Sequence, residues 1–166
     1  PGPACQGDMR CVFEELVAHN RPAVLPIAER FRARAKSTGM NAVEAAELII
    51  AFVQDIRYEI PKAEPFGVLP PSLVMSESRG DCDSKALLAL MLLREINVSS
   101  ILISSQAHRH TMLGVALPAS GRSFSHAGRR YAFVECTAKG SPIGHINPEL
   151  LRPNDWRAVP VRVMAP

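Results

Sequence analysis

The sequence predicts an α+β fold in which helices come first and an antiparallel sheet then packs on a cysteine-bearing helix. Two observations support this prediction. Before residue 97 the apolar residues recur mostly at helical spacing, whereas the later segments are short and rich in β-branched and aromatic residues. The last predicted helix begins at Gly80-Asp81-Cys82 and is apolar on nearly every face, so we expect it to be buried.

Local signals set the helix boundaries. Asn20-Arg21-Pro22 predicts a break between the first two helices, and Asn41 with Glu44 three residues later forms a capping-box pattern. Four prolines exclude helix and central strand from residues 61–71, which we expect to be a loop at the wall of a substrate groove. Asp81 is a favourable N-cap. The predicted helices are Met9–His19, Pro22–Lys36, Ala42–Arg57 and Cys82 to about Glu95.

The second half predicts strands and completes one domain of 166 residues. A Gly/Ser-rich segment, residues 118–128, predicts a loop between two of the strands. The predicted strands are Val98–Ser105, His110–Leu117, Arg129–Thr137 and a short one at Val159–Val163. Within the domain, residues 1–40 are expected to form a helical extension, 41–146 the core and 147–166 a tail.

Composition argues against two classes of partner. The net charge is +3, aromatic residues make up 5% of the chain, and its basic residues show no aromatic interleaving, so we expect no nucleic acid partner. The run Arg30, Arg32, Arg34 and Lys36 is interpreted as a solvated helix face. We expect no membrane span, because the chain has no apolar run of about 18 residues.

Three residues suggest nucleophilic catalysis. In the first turn of its helix, Cys82 would meet free N–H groups and the positive end of the helix dipole, both of which favour a thiolate. His110 begins one predicted strand, and Glu135 lies near the end of the next. If those strands are antiparallel neighbours, the two side chains can meet, giving the thiol a base and the base an orienting acid.

These motifs resemble the transglutaminase-like superfamily of papain-type cysteine enzymes, above all the bacterial transglutaminase-like cysteine peptidases. Gly80-Asp81-Cys82, His110 in His-x-x-x-Gly-Val and Glu135 in Glu-Cys-Thr stand in the order of that family, within a likeness over about residues 41–146. Phe52–Tyr58 and Gly140–Ile146 also resemble family segments. The family's acid is usually Asp, whereas this chain has Glu135.

The resemblance implies a papain/transglutaminase-like core and a cysteine hydrolase or acyltransferase. Its substrate would be a peptide or side-chain amide bond in a peptide or protein, cleaved through a thioester, with peptidase activity favoured and no metal or organic cofactor needed. The alternative is an inactive module that keeps the fold and binds a peptide or protein partner. The cell envelope or periplasm is the expected compartment, with the cytoplasm as the alternative.

Further polar residues are assigned to the neighbourhood of the thiol. Gln54 is a candidate oxyanion donor together with the Cys82 main-chain N–H, although a partly exposed helix residue is an equal interpretation. Asp81 and Asp83 flank the thiol as candidate substrate-site residues that also oppose thiolate formation. His108 competes with His110 for the role of base.

The remaining histidines and cysteines receive other interpretations. His126 is expected on the surface, and His145, in a turn, is a weak candidate for the rim of the site. Zinc would need Cys82, His108, His110 and Cys136, but the chain has no Cys-x-x-Cys or His-x-x-x-His pair, and strand alternation turns Cys136 away from Glu135. Cys136 is therefore expected to fill the core. Cys5 and Cys11 are either a local disulfide or two free thiols.

Overall fold

A computed structural model describes residues 5–162 as an α+β fold, with α-helices packed on one face of a five-stranded antiparallel sheet. A separate pair of two-residue strands is parallel. The helices are α1 (Met9–Ser37), α2 (Ala42–Asp55), α3 (Pro71–Glu77) and α4 (Cys82–Glu95). The strands are β1 (Arg57–Tyr58), β2 (Arg79–Gly80), β3 (Ser100–Ser105), β4 (His110–Val115), β5 (Ser123–His126), β6 (Arg129–Val134) and β7 (Arg157–Val159).

Helix α4 lies at the centre of the molecule. It contacts α1, α2 and α3 on one side and strands β3 and β4 on the other. Every residue from Ala86 to Leu93 is buried, which is the burial that an all-round apolar helix requires. The predicted cysteine helix is thus confirmed, including its start at Cys82 and its end near Glu95.

Helix α1 corrects the prediction of a break at Pro22. The helix continues through Pro22 and Pro26, and the carbonyls that these prolines leave unpaired belong to exposed residues. Buried Asn20 supports the helix where the break was expected. Its Nδ2 donates to the Leu16 carbonyl at 2.8 Å, and its Oδ1 accepts from the Ser72 hydroxyl at 2.7 Å. Tertiary contacts therefore outweigh the local breaking signal.

Three short elements surround the predicted loop, and two of them, strands β1 and β2, form by pairing between distant residues. Helix α2 ends at Asp55 rather than Arg57, because Ile56 is extended and the Arg57 N–H donates to the Ser78 carbonyl. Strands β1 and β2 then pair in parallel, with Tyr58 opposite Gly80. Helix α3 begins within the segment predicted as loop, at Pro71, where a missing N–H costs nothing.

The sheet has strand order β5-β6-β4-β3-β7, and β4 and β6 are antiparallel neighbours as predicted. Strand β5 was not predicted, because residues 118–128 were expected to form a loop. One face packs on the helices and includes Leu102, Leu113 and Val134. The other face carries a second apolar cluster of Ile101, Ile103, Met112, Tyr131, Phe133, Ile146 and Trp156.

The segment predicted as a tail covers that second face. Trp156 is 4% exposed and its indole Nε1 donates to the Leu150 carbonyl at 2.8 Å. The last strand is β7, Arg157–Val159, instead of Val159–Val163, and Val163 lies outside the described residues. Among residues 5–162, no helix combines the length and apolar character needed to cross a bilayer.

Candidate functional site

Cys82 is held at the first position of α4 by the cap before it. The Asp81 carboxylate accepts from the Ser84 N–H at 3.0 Å and from the Ser84 hydroxyl at 2.6 Å. This confirms Asp81 as the N-cap and commits one of its carboxylate oxygens to the helix. The first N–H groups of a helix have no acceptor within the helix, so that of Cys82 is available to a ligand. The Cys82 side chain is 7% exposed.

His110 and Glu135 meet as their strand positions predicted. His110 Nε2 lies 2.6 Å from Glu135 Oε2. The second carboxylate oxygen accepts from the Thr137 N–H at 3.0 Å and from its hydroxyl at 2.7 Å. Both oxygens of Glu135 are therefore occupied, which fixes the carboxylate against the imidazole. Because Nε2 is taken, Nδ1 is the ring nitrogen left for Cys82.

Electrostatics favour a charged pair. Burial alone would lower the pKa of His110, but hydrogen bonding with Cys82 and Glu135 outweighs it and raises that pKa to about 10. Burial alone would raise the pKa of Glu135, and the bonds from His110 and Thr137 reverse this, so the pKa lies below its usual value. The pair is thus stabilised as imidazolium and carboxylate at neutral pH.

Asp83 points toward the sheet rather than capping the helix. Its Oδ1 accepts from the Thr111 hydroxyl at 2.5 Å. Burial raises the pKa of Asp83, the charge of Asp81 adds to this, and the Thr111 bond and His110 oppose it. Thr111 thus holds the Asp83 carboxylate on the sheet side of the helix.

A cleft of about 430 Å³ opens beside the thiol. Cys82, His110 and Asp83 line it together with an apolar wall that includes Phe13 and Phe66. Phe66 belongs to the proline-rich loop, so this loop does form a wall beside the cysteine, as predicted. Phe66 is exposed and has φ +63°, an uncommon conformation for a bulky residue, which turns the loop there.

The contacts of Gln54 assign it a role other than oxyanion donor. Its Nε2 donates to the main-chain carbonyls of Glu135 and Ser141, both at 2.9 Å, and its Oε1 accepts from the Gly140 N–H at 3.2 Å. Both amide hydrogens are therefore committed to main-chain acceptors. Gln54 is buried and fastens α2 to the chain that follows β6, which positions Glu135.

Lys85 is a site residue that sequence reasoning missed. It is 1% exposed, and its Nζ donates to the carbonyls of Ile56 at 2.6 Å and Gln54 at 3.3 Å. Burial lowers the pKa of Lys85 despite the nearby acidic groups of Cys136 and Glu135. The ammonium group neutralises the carbonyl end of α2. Its only sequence signal was a lysine inside an otherwise apolar helix.

His108 precedes β4 and is not the histidine beside Glu135. Its Nε2 lies 3.0 Å from Asp155 Oδ2, and its ring centroid is 5.8 Å from that of Trp156. Trp156 also packs edge-on to His110 at 6.4 Å. The C-terminal segment thus supports the loop and the imidazole together. Asp155 and Trp156 lie in a proline-rich stretch of the sequence, and no local pattern there indicated that they would contact His108 and His110.

The other predicted residues do not line the cleft at Cys82. His126 lies half-buried in β5 and His145 is exposed in a turn. Cys136 is fully buried on the helix face of the sheet, as predicted, and burial raises the pKa of its thiol. Cys5 and Cys11 form a disulfide.

Tyr58 is a further neighbour of the thiol that sequence reasoning did not single out. It lies beside Gly80 on β1 and is half-exposed. Burial raises the pKa of its phenol, and the acidic groups of Cys82 and Asp81 add to the effect. The phenol of Tyr58 therefore remains protonated at neutral pH.

The four residues considered for zinc do not form one group. Among residues 5–162, the groups with ligand atoms close enough for a shared ion are Cys5, Cys11 and Glu15, and Asp81, Cys82 and Asp83. The first group contains the disulfide. In the second, Ser84 and Thr111 already donate to the two carboxylates. The set of His108, His110, Cys82 and Cys136 that was weighed for zinc is not among these groups.

Comparisons with known proteins add a distant structural similarity. No protein-family model matches the sequence, and no curated protein matches it in sequence. Among solved structures, Legionella pneumophila LapG is similar with a TM-score of 0.46 and 15% identity, over 83% of this chain and 81% of that one. LapG treated with EGTA gives the same score and identity, over 83% and 78% of the two chains.

Proposed function

We propose that this protein is a cysteine-dependent hydrolase of the transglutaminase-like class, with a papain-type core and Cys82, His110 and Glu135 as its catalytic triad. The observation that carries the proposal is the 2.6 Å contact between His110 and Glu135, with the thiol of Cys82 as the other hydrogen-bonding partner of the same ring. A nucleophile, a base and an orienting acid in this relationship are what acyl transfer needs.

The substrate in this proposal is a peptide or side-chain amide. The Cys82 proton resides on His110 Nδ1 before the reaction, so Sγ attacks the carbonyl carbon as a thiolate and the Cys82 N–H stabilises the oxyanion. His110 then protonates the departing amine as the C–N bond breaks and leaves a thioester. Water, deprotonated by His110, attacks the thioester and releases the acid and the free thiol. Glu135 keeps the imidazole oriented throughout.

Access of water favours hydrolysis over transfer to an amine. The cleft has a volume of about 430 Å³ and hydrophilic residues such as Ser104, Gln106 and Arg109 along its lining. A thioester held there is open to water, and excluding water is what an acyltransferase must do to protect such an intermediate. We therefore propose a hydrolase, and the resemblance of the Cys82, His110 and Glu135 motifs to bacterial cysteine peptidases favours a peptidase as the principal activity.

The Cys5–Cys11 bond supports an oxidising compartment as the working environment. Structural disulfides persist in the periplasm and outside the cell and are rare in a reducing cytosol. The cell envelope is accordingly proposed as the location. Trapping free thiols at the moment of lysis would test this, because a reduced Cys5–Cys11 pair in the native source favours the cytoplasm.

The decisive experiment is a thiolate titration by ultraviolet absorbance, made on wild type, Cys82→Ser and His110→Ala. The proposal expects a thiolate signal in wild type at about pH 6, absent in Cys82→Ser and displaced to higher pH in His110→Ala. Cys136→Ser is the matched control and should leave the signal unchanged. Fluorogenic peptide amides would then be screened for turnover that Cys82→Ser abolishes.

Two results would point elsewhere. A thiol that titrates near pH 8.5, at a midpoint that His110→Ala does not change, is an unactivated thiol. Such a result would favour the inactive module that binds a peptide or protein in the same cleft. An activated thiol whose thioester is captured by added amines faster than by water would favour the acyltransferase.

A further inference from the structure

The arginine run of α1 divides between two faces of the helix. Arg32 donates to Glu29 and to the main-chain carbonyl of Glu95. Arg30 and Arg34 are exposed, and their side chains make no ion pair or hydrogen bond with any residue from 5 to 162. Four residues apart, they lie one turn from each other on the same side of the helix. Two unpaired cations thus face one region of the surface.

That region is an apolar groove of about 430 Å³ between α1, α2 and α3. Apart from the two arginines, its lining is entirely apolar: Ile27, Phe31, Leu48, Phe52 and Met75. The rings of Phe31 and Phe52 meet at 5.3 Å in an edge-on arrangement, and Phe52 is 38% exposed. Apolar side chains left open to water and rimmed by charge are typical of a binding site.

The groove is independent of the cleft at Cys82. The two cavities share no lining residue. The groove offers no nucleophile, acid or base, because guanidinium groups stay protonated. Its chemistry is therefore recognition: a guanidinium pair for an anion and an apolar surface for a hydrocarbon chain.

We propose that this groove binds a single-chain anionic amphiphile, a long-chain carboxylate in particular, with its head between Arg30 and Arg34 and its tail along Phe31 and Phe52. Charge complementarity and size lead to this occupant. A volume of about 430 Å³ lies in the range of roughly 300–1,000 Å³ typical of small-molecule pockets. Its seven lining residues are far fewer than the roughly 20–30 per side of a stable protein interface.

The test is calorimetric titration of the whole chain with dodecanoate below its micelle concentration. We expect one bound molecule per chain. Dodecyltrimethylammonium has the same tail and the opposite charge, and should bind at least about tenfold more weakly, because it loses charge-assisted bonds and gains repulsion. The double variant Arg30→Gln with Arg34→Gln should weaken dodecanoate binding by a similar factor.

Matched variants locate the site. Lys36→Gln removes one charge from the same helix outside the groove and should leave the affinity within about twofold of wild type. Phe52→Asp places a carboxylate against the tail and should abolish binding. The arginine and lysine variants lie at the surface and should keep a melting temperature near that of wild type, whereas Phe52→Asp also loses the contact with Phe31 and should melt lower.

Several results would overturn the proposal. Equal binding of the two amphiphiles would mean an apolar patch without anion recognition. Binding lost in Phe66→Ala but kept in the double arginine variant would assign dodecanoate to the cleft at Cys82. A concentration-dependent dimer in sedimentation, dispersed by Phe52→Asp, would assign the groove to a second copy of the chain. Absence of saturable binding would also overturn it.

Discussion

His110 Nε2 and Glu135 Oε2 are 2.6 Å apart, although 25 positions separate the residues in the chain. Strand pairing explains the contact. Leu113 pairs with Val134, so one further step of the antiparallel register puts Glu135 opposite Met112, with His110 two residues away on the same face. Diagonal neighbours of this kind are within reach of a long side chain. The longer carboxylate of Glu135 suits such a diagonal contact.

Glu135→Gln should lower the pKa of His110 from about 10, because Cys82 and Glu135 both hold the imidazolium and the variant removes the charge of the second. The raised pKa stabilises the folded wild type fully below about pH 6.5 and stops doing so as the pH rises through about 10. Two measurements check this: NMR titration of the His110 ring, and denaturant unfolding of both proteins from pH 6 to 10. Wild-type stability should fall more steeply than that of the variant.

Thr137→Val is the graded companion to that change. It removes the hydroxyl bond to Glu135 Oε1 and leaves the main-chain bond in place. The pKa of Glu135 should rise modestly and that of His110 should fall by less than in Glu135→Gln. A Thr137→Val effect as large as that of Glu135→Gln would mean that carboxylate orientation, rather than charge, sustains the imidazolium.

Iodoacetamide should label Cys82 alone in the native protein. Cys82 borders the cleft and has His110 as a partner, whereas Cys136 is fully buried and burial raises the pKa of its thiol. The Cys5–Cys11 disulfide cannot be alkylated. Peptide mapping after labelling at pH 6.5 checks the site, and His110→Ala should slow the reaction by roughly 10²-fold. Equal labelling of Cys82 and Cys136 would contradict the difference in accessibility.

Gln54→Glu should slow alkylation of Cys82 and reduce stability by about 2 kcal/mol or more, since a carboxylate cannot donate to the carbonyls of Glu135 and Ser141. In the variant a carboxylate oxygen faces these two carbonyl oxygens. Their mutual repulsion loosens the chain that carries Glu135. Glu47→Gln, on an exposed face of the same helix, is the matched control and should change neither quantity. A variant that is destabilised yet alkylated at the wild-type rate would show that Gln54 stabilises the fold without affecting the reactivity of Cys82.

Lys85→Met tests two opposing effects at one buried position. The substitution removes the cost of burying an ammonium group but leaves the Gln54 and Ile56 carbonyls without a donor. Each unsatisfied carbonyl costs about 1–3 kcal/mol, so we expect a net loss of about 2 kcal/mol by chemical denaturation. Lys62→Met, at an exposed position, serves as the control. A gain in stability would mean that the desolvation of Lys85 outweighs its two bonds.

The sequence predicted those features that depend on local pattern. The all-round apolar segment after Cys82 required a buried helix, the Asn41–Glu44 pair marked the start of α2, and strand alternation separated Cys136 from Glu135 onto opposite faces. The meeting of His110 and Glu135 followed from placing one at the start and the other at the end of adjacent strands. Each of these inferences required only the repeat of a local sequence pattern and the identity of the adjacent element.

Features that depend on distant contacts were not predictable in the same way. Whether Pro22 breaks α1 depends on the hydrogen-bond partners of Asn20. One of these partners is Ser72, which lies 52 positions away in the sequence. The roles of Gln54 and Lys85 depend on main-chain carbonyls, which leave no mark in a sequence. Strands β1 and β2 have two residues each, too few for a period to appear.

The two ends of the described chain meet, since the Arg162 N–H donates to Glu14 Oε1 and β7 pairs with β3 as an edge of the sheet. Trp156, which packs against His110, belongs to the same C-terminal segment as β7. During synthesis on the ribosome the thiol at residue 82 emerges long before these residues do. The imidazole therefore acquires its contact with Trp156 only after this late segment has been synthesised and folded.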